Sequence, residues 1–468
     1  MLSSELVEKF TALVGHGHAL SDPVAIAPHL TENRDLYHGL SRLVLKPETV
    51  EEVSAILKLA HQTKTPIVPQ GGNTGLVGGQ TPDRTGDAII LSLTRMNKIR
   101  NIDPVGNTLT VEAGVVLKTV QDAAEEVERL FPLSLGSEGS AVIGGLLSSN
   151  AGGTAVLAYG NMRELCLGLE VVLPDGSVMH GLKKLRKDNT GYDLRDLFIG
   201  AEGTLGVITA AVLKLHPRPR GRAVAFAGLS SPDHALKLLG RAKASGMLTG
   251  FELIARLGME FAVRHVEGAR DPFEAPHNWY VLAEIASSLS DEDANAAMEQ
   301  FMAGALEAED AEDAVIAQSG AQADDFWHLR ENLSWAQKPE GGSIKHDISV
   351  PVAAIPAFID AANAAVEALI PGARFCTFGH MGDGNLHYNI SQPVGADKDV
   401  FLRRWDEVNA LVHDIVGNYD GSISAEHGIG QLKRGELQRF KDPVALDLMR
   451  RIKAAFDPVG IMNPGKVL

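Results

Sequence analysis

Residues 378–390 read FGHMGDGNLHYNI, and residues 424–430 read SAEHGIG. Besides Asp383, these two stretches hold three imidazoles and one carboxylate: His380, His387, His427 and Glu426. Histidine ligands on one helix face sit at i and i+4, so the interval from His380 to His387 does not suit a helix. Gly382 and Gly384 around Asp383 spell a tight turn, and NLHYNI after it reads as extended chain. Side chains alternate along a strand, which puts His387 and Asn389 on one face. A turn that folds His380 back onto that face would, with Glu426, assemble two imidazoles and a carboxylate. Such a set holds a divalent metal and leaves positions open for water or substrate. With 16 histidines in the chain, the spacing equally fits a turning strand that holds nothing.

A second chemistry is written in glycine. PQGGNTGLVGGQTP, residues 69–82, follows a short apolar run. Its Gly71, Gly72 and Gly75 let successive backbone N–H groups converge on an anion, while Asn73 and Thr74 add side-chain donors. LGSEGSAVIGGLLSSNAGGT (135–154) again sets glycine pairs among Ser and Asn, and IGAEGTLGVIT (199–209) alternates glycines with strand residues. One such loop is an ordinary turn; three together point to a long ligand lined by backbone. No Walker A sequence and no G-x-G-x-x-G after the first strand is present, which argues against the P-loop and Rossmann readings.

The elements that must carry these residues are legible in outline. SRLVLKPETVEEVSAILKLAHQTKTPIVPQGG spells strand, helix, strand, with Thr49 and Glu52 as a capping box and Val53, Ile56, Leu57 and Ala60 as the buried stripe. AIILSL, TLTVEAGV, LEVVLPDGSVM and LGVITAAVLKLHP read as strands, with a hairpin at Asp175-Gly176. The Pro/Arg cluster HPRPRGRAV (216–224) marks a boundary, beyond which glycine thins out and Ala and acidic residues dominate. Phe401, Trp405, Val408, Val412 and Ile415 share a face and predict one packed helix. At the N-terminus, Leu2, Leu6, Val7, Phe10, Leu13 and Val14 predict an amphipathic helix that faces the core.

Composition bounds the function. A chain of 468 residues exceeds one ordinary core. At 45% hydrophobic and 22% charged it is globular, and no run of 18 apolar residues predicts a membrane span. A net charge of −16 argues against a nucleic-acid surface but leaves room for a local basic pocket and an anionic substrate. Cys166 and Cys376 lie far apart in apolar company and read as buried reduced thiols. Glu5 and Glu8 interrupt the first fifteen residues, which do not read as a signal peptide, so the expected location is cytoplasmic.

The series PQGGNTG, NAGG, GAEGTLGVIT and NPGKVL resembles the FAD-binding fold of the vanillyl-alcohol oxidase and p-cresol methylhydroxylase group over nearly the whole chain. The resemblance implies an α+β protein: a two-subdomain FAD-binding domain, an α/β cap, and a C-terminal segment that returns to the FAD domain. The implied limits are 1–217 (subdomains 1–95 and 96–217), 218–415 and 416–468. It assigns Pro69, Gln70, Gly71, Gly72, Asn73, Thr74, Gly75 and Gly78 to the pyrophosphate loop. Leu135, Gly136, Ser137, Ser140, Gly144, Gly145, Asn150, Gly152 and Gly153 fall along the isoalloxazine and ribityl chain; Glu202, Gly203 and Ile208 fall on the adenosine side, and Asn463 closes the set. Some relatives bond FAD covalently through a histidine in the first loop; Asn73 and Thr74 here imply non-covalent FAD.

GHMGDGNLH with SAEHGIG resembles the signature of FAD-linked D-2-hydroxy acid dehydrogenases, with D-2-hydroxyglutarate the favoured acid and D-lactate or glycolate next. That family implies His380, His387 and Glu426 as ligands of a divalent metal, zinc first, and His427 as catalytic base. WHLRENLSWAQKPEGGSIKHDISVP resembles the segment that grips the acid, with Arg330, Ser334, Lys345 and Asn389 as substrate contacts. The residue types suit the reaction. Oxidising an α-hydroxy acid removes the hydroxyl proton while a hydride leaves the same carbon. A cation chelated by the carboxylate and hydroxyl lowers the hydroxyl pKa by several units, at about 1.4 kcal/mol per unit. His427 then accepts the proton, Arg330 holds a carboxylate in a fork, and Lys345 adds a point charge. Arg330 pairing with Glu331 or Asp324, and Lys345 with Asp347, are the plain surface alternatives. The implied partners are a small 2-hydroxy acid and an electron-accepting protein or quinone; a homodimer is an open assembly. Two rivals share the fold: a non-redox flavin transferase of the alkylglycerone-phosphate synthase type, and a silent subunit of a larger oxidase.

Overall fold

Thr49 begins the first βαβ-like stretch as its sequence predicts. Its side chain accepts the N–H of Glu52, while the Glu52 carboxylate takes the N–H of Glu48 rather than of the cap residue itself. Helix Val50–Thr63 then buries Val53, Ile56, Leu57 and Ala60. In the computed structural model, which describes residues 2–468, the flanking strands Val44–Leu45 and Ile67–Gln70 do not pair with each other. Strand Ile89–Ser92 lies between them, parallel to both. Ile67 also bridges Met462 in parallel, its N–H donating to the Ile461 carbonyl.

The chain divides into two compact units. One comprises Met1–Gly152, Tyr159–Arg218 and Glu426–Leu468; the other comprises Gly153–Ala158 and Pro219–Ala425. Besides the four-stranded sheet, the first unit holds a five-stranded antiparallel sheet. Its hairpin Cys166–Val172/Val178–Gly181 turns at Gly176, which has φ +88° and where a Cβ would lie 2.7 Å from the Ser54 carbonyl, leaving no space for a side chain. Two large apolar clusters, one on the four-stranded sheet around Phe10, Ile56 and Leu91 and one on the five-stranded sheet around Val111, Leu147 and Leu213, fill this unit with a small third around Ile26, Val44 and Ile90. Helix Ser4–Val14 buries Phe10, Thr11 and Val14.

The second unit is built on an eight-stranded sheet whose centre runs Gly221–Leu229, Trp279–Ser287, Leu248–Ala255, Arg374–His380 and Asn385–Ser391. Apolar clusters cover both faces, one around Phe358 and Tyr388, the other around Phe261 and Phe378. Helix Ile355–Leu369, with the turn before it, is long and apolar enough to cross a bilayer, and it buries Ile355, Phe358, Ile359, Ala362 and Val366 in this core. The single helix predicted around Trp405 is two: Lys398–Leu402 and Trp405–Asn418, separated at Arg403-Arg404, where the Arg404 Nη1 donates to the Leu369 carbonyl. Both cysteines are free and buried, and burial pushes their thiols up to about 12.

Candidate active site

The histidine hairpin is formed by Arg374–His380 and Asn385–Ser391, with Phe378 opposite His387 and Cys376 opposite Asn389. In the turn, the N–H groups of Asp383 and Gly384 donate to the His380 carbonyl, and Asn385 N–H donates to the Asp383 carboxylate. Gly384 has φ +95°, and a Cβ there would lie 2.4 Å from the Val350 carbonyl, so the turn demands glycine. Alternation and register set His380, Phe378, His387 and Asn389 on one face, and the two imidazole centroids are 5.5 Å apart. Strand Ser343–Lys345 pairs on the outer side, with Lys345 opposite Asn389. Lys345 Nζ donates to the Ser334 carbonyl at 2.9 Å, which ties the exposed Ser334 to this strand.

Arg330 stands at the end of helix Gly320–Glu331 and is only 6% exposed. It pairs with neither Glu331 nor Asp324. Its Nε donates to Glu252 Oε2 at 2.8 Å, and its guanidinium lies 4.9 Å over the Phe378 ring. Its Nη2 is 2.6 Å from the same oxygen, so Glu252 holds the Nε/Nη2 edge of the guanidinium. Asn389 is 2% exposed, and its buried Oδ1 lacks a partner, at a cost of about 1–3 kcal/mol.

Glu252 was not visible from the sequence as a site residue. It is fully buried in strand Leu248–Ala255, directly opposite His380, and its Oε1 accepts from His380 Nδ1 at 2.7 Å. Burial opposes its ionisation, yet Arg330 and His380 hold the carboxyl below the usual carboxylate range. The only available signal was a charged residue inside the apolar run LTGFELIA.

A second missed residue is Asp347. It is buried, accepts from Asn385 Nδ2 at 3.0 Å, and its backbone carbonyl takes the Ala425 N–H. The covalent chain then delivers Glu426 and His427. In the second unit Asp347 and His387 each offer a ligand atom, within 4.8 Å of the other, and in the first unit Glu426 and His427 do the same. An imidazole beside a carboxylate is a pair suited to a divalent cation. His380 stands beside His387 and is held by Glu252.

The glycine loops of the first unit meet closely. A Cβ on Gly71 would stand 2.5 Å from Val142, and one on Gly72 only 2.0 Å from the Ser140 carbonyl. Asn73 holds φ +56°, and its Nδ2 donates to the carbonyls of Pro28 and Thr31. Among the described residues, the backbone N–H groups of Asn73, Thr74 and Gly75 have no protein acceptor, as an anion cradle requires. Gln70 is buried and donates to the carbonyls of His29 and Gln80; Pro69 lies 3.0 Å from a Cβ built on Gly203; Gly78 packs on the Tyr37 ring. In the second loop, Leu135 and Ser137 start the turns that lead to Ser140, a Cβ on Gly136 meets open space, and Gly144 abuts Ala113 just before Gly145. Asn150 takes φ +52° and accepts the Arg163 N–H; the unit boundary falls between Gly152 and Gly153.

The third loop departs from a simple cofactor contact. Glu202, at φ +51°, turns its carboxylate to the N–H groups of Ile429 and Gly430, at 2.7 and 2.8 Å. It therefore fixes the turn that follows His427. Burial raises its carboxyl against those two hydrogen bonds. Asn463 Nδ2 donates to the carbonyls of Gly79 and Glu202, and Ile208 is buried in strand Val207–Lys214.

Two family models match: an FAD binding domain over residues 41–181, and the C-terminal domain of FAD linked oxidases over 218–467. The chain belongs to the FAD-linked oxidases. It is an FAD-dependent dehydrogenase. This oxidase is 37% identical over 469 residues to a D-2-hydroxyglutarate dehydrogenase of Arabidopsis thaliana, covering 100% of this chain and 82% of the relative. It is 35% identical to a D-2-hydroxyglutarate–pyruvate transhydrogenase of Saccharomyces cerevisiae, covering 100% and 95%. The structure of p-cresol methylhydroxylase with substrate bound superposes with TM-score 0.77 at 17% identity, covering 98% and 96%, which shows the α+β fold of that group. The expectation of a cytoplasmic location is overturned: the Arabidopsis relative, like those of Danio rerio and Bos taurus, is labelled mitochondrial. A leader is read from a chain's first residues alone and need not resemble the relatives', which is why that argument failed.

Proposed function

We propose that this FAD-linked oxidase oxidises D-2-hydroxyglutarate to the 2-oxo acid with the help of a divalent cation, zinc first, and holds its FAD without a covalent bond. The observation that supports this most is the gathering of Arg330, seated over Phe378, with Lys345, His380, His387 and Asn389, whose buried Oδ1 has no partner, on one sheet face. An anionic, hydroxyl-bearing ligand suits that set. His380, His387 and Glu426 would hold the cation, and Asp347 lies in reach of His387. When bound, the cation supplies Lewis acidity at the α-hydroxyl and FAD supplies the hydride acceptor.

The chain's own part is electrostatic and geometric. Arg330, braced by Glu252 and Phe378, and Lys345, braced by the Ser334 carbonyl, hold carboxylate charge in place. Asn389 orients the polar end of the acid. His427, whose Nε2 lies 3.6 Å from Glu426, takes the hydroxyl proton. Two cationic contacts suit a dicarboxylate better than D-lactate or glycolate. Electrons leave to another protein or a quinone.

The test is a panel of D- and L-2-hydroxy acids with an artificial electron acceptor, before and after dialysis against a chelator. D-2-hydroxyglutarate should give the highest kcat/KM, chelation should abolish turnover while FAD stays bound, and zinc should restore it. Bleaching of the flavin by no 2-hydroxy acid would overturn the reading in favour of a non-redox transferase. Full turnover in metal-free protein would remove the Lewis-acid role. Acid precipitation that leaves the flavin on the polypeptide would exclude non-covalent FAD.

A further inference from the structure

We infer that Glu252 is a positioning residue that couples the acid clamp to the metal ligands, one carboxylate oxygen serving each. The inference rests on the reading of Arg330 as the clamp and His380 as a ligand. Glu252 sits in a strand in which every residue is buried, where a lone carboxylate is costly unless paired. Its two oxygens are divided without overlap. Oε1 takes His380 Nδ1 at 2.7 Å, and Oε2 takes Arg330 Nε at 2.8 Å.

Each half has a chemical consequence. A carboxylate accepts only, so His380 must place its proton on Nδ1, which leaves the Nε2 lone pair for a cation. The Arg330 guanidinium is anchored to Oε2 along its Nε/Nη2 edge, so Nη1 is the group left to meet an incoming acid. The register keeps the parts together: Glu252 lies opposite His380 across the sheet, and the Phe378 ring two residues before His380 carries the Arg330 guanidinium. Packing alone would be served by an apolar residue at this place in the strand.

Glu252→Gln keeps size and shape but cannot accept from both partners, because its NH2 must face one of two donors. Wild type, Glu252→Gln and Arg330→Lys are compared as full-chain flavoproteins. Zinc affinity is read by competition with a chromogenic chelator on metal-stripped protein, and KM and kcat with D-2-hydroxyglutarate; flavin content reports the fold. Glu252→Gln should weaken zinc about 10–100-fold and raise KM at least about 10-fold at unchanged flavin content, while Arg330→Lys should raise KM alone. Zinc affinity in Glu252→Gln within about twofold of wild type, or no weaker than in Arg330→Lys, would overturn the coupling. If Glu252→Gln does not fold, Glu252→Asp replaces it: its shorter carboxylate cannot span both partners, so it should lose zinc or acid affinity, and retention of both would equally overturn the inference. A wild type that neither binds zinc nor oxidises the acid would instead defeat the proposed function.

Discussion

Gly72→Ala puts the cofactor cradle to a quantitative test. The new Cβ would lie 2.0 Å from the Ser140 carbonyl oxygen, whereas side-chain carbons do not approach closer than 3.0 Å, so the loops must part by at least 3.0 − 2.0 = 1.0 Å. The obstacle is backbone and cannot swing aside. Overpacking of this kind costs about 1–3 kcal/mol, and about 1.4 kcal/mol of it set against the bound state is a tenfold loss of affinity. Gly139→Ala is the internal control: it lies in the same second loop, and a Cβ there meets nothing within 4 Å. FAD affinity is measured by recovery of flavin fluorescence on dilution, and stability by thermal melts of the apoprotein. Gly72→Ala should lose at least about tenfold in FAD affinity, with a lower apoprotein Tm, while Gly139→Ala stays at wild type in both. Wild-type FAD affinity in Gly72→Ala would refute the claim that the two loops are drawn together to line the cofactor.

Other outcomes follow from single groups. Burial works against ionisation of Glu340, but hydrogen bonds from His265, Arg374 and Arg264 outweigh it and hold the carboxyl at about 2. A depressed carboxyl contributes stability above its unfolded pKa of about 4.3 and loses it as pH falls toward 2. The Tm gap between wild type and Glu340→Gln should therefore be widest above about pH 5 and close as pH approaches 2; a gap independent of pH would refute the assignment. Glu202→Ala strips two backbone N–H groups of their acceptor, at about 1–3 kcal/mol each. Hydrogen exchange at Ile429 and Gly430 should accelerate at least about tenfold, and unchanged protection would show that the turn is held elsewhere.

Much of this was legible because glycine and strand alternation are local signals. In QGGNTG the glycines signal a close backbone approach, and the crowding at Gly71 and Gly72 is that approach. His380 and His387 share a face because a tight turn reverses the strand, a geometry that FGHMGDGNLHYNI already encodes. What stayed hidden depends on register between distant strands. Glu252 meets His380 across 128 residues of sequence, and no pattern within LTGFELIA names its partner. Asp347 looked like a neighbour for Lys345, yet backbone pairing turns it toward Asn385 and the segment before Glu426. Glu202 sits in the expected loop, but its left-handed backbone aims the carboxylate at the C-terminal turn. The predicted helix around Trp405 failed for a similar reason, since apolar periodicity continues across the break at Arg403-Arg404.

The bridge between Ile67 and Met462 sets an order on biosynthesis. Ile67 leaves the ribosome nearly four hundred residues before the segment whose Ile461 carbonyl accepts its N–H and whose Asn463 N–H donates back to it. The strand that carries Ile67 thus waits, one edge uncovered, until residues 461–463 have been made. Bare edges invite association with other chains, so shortening the polypeptide by its last eight residues should yield aggregates rather than a smaller, working flavoprotein.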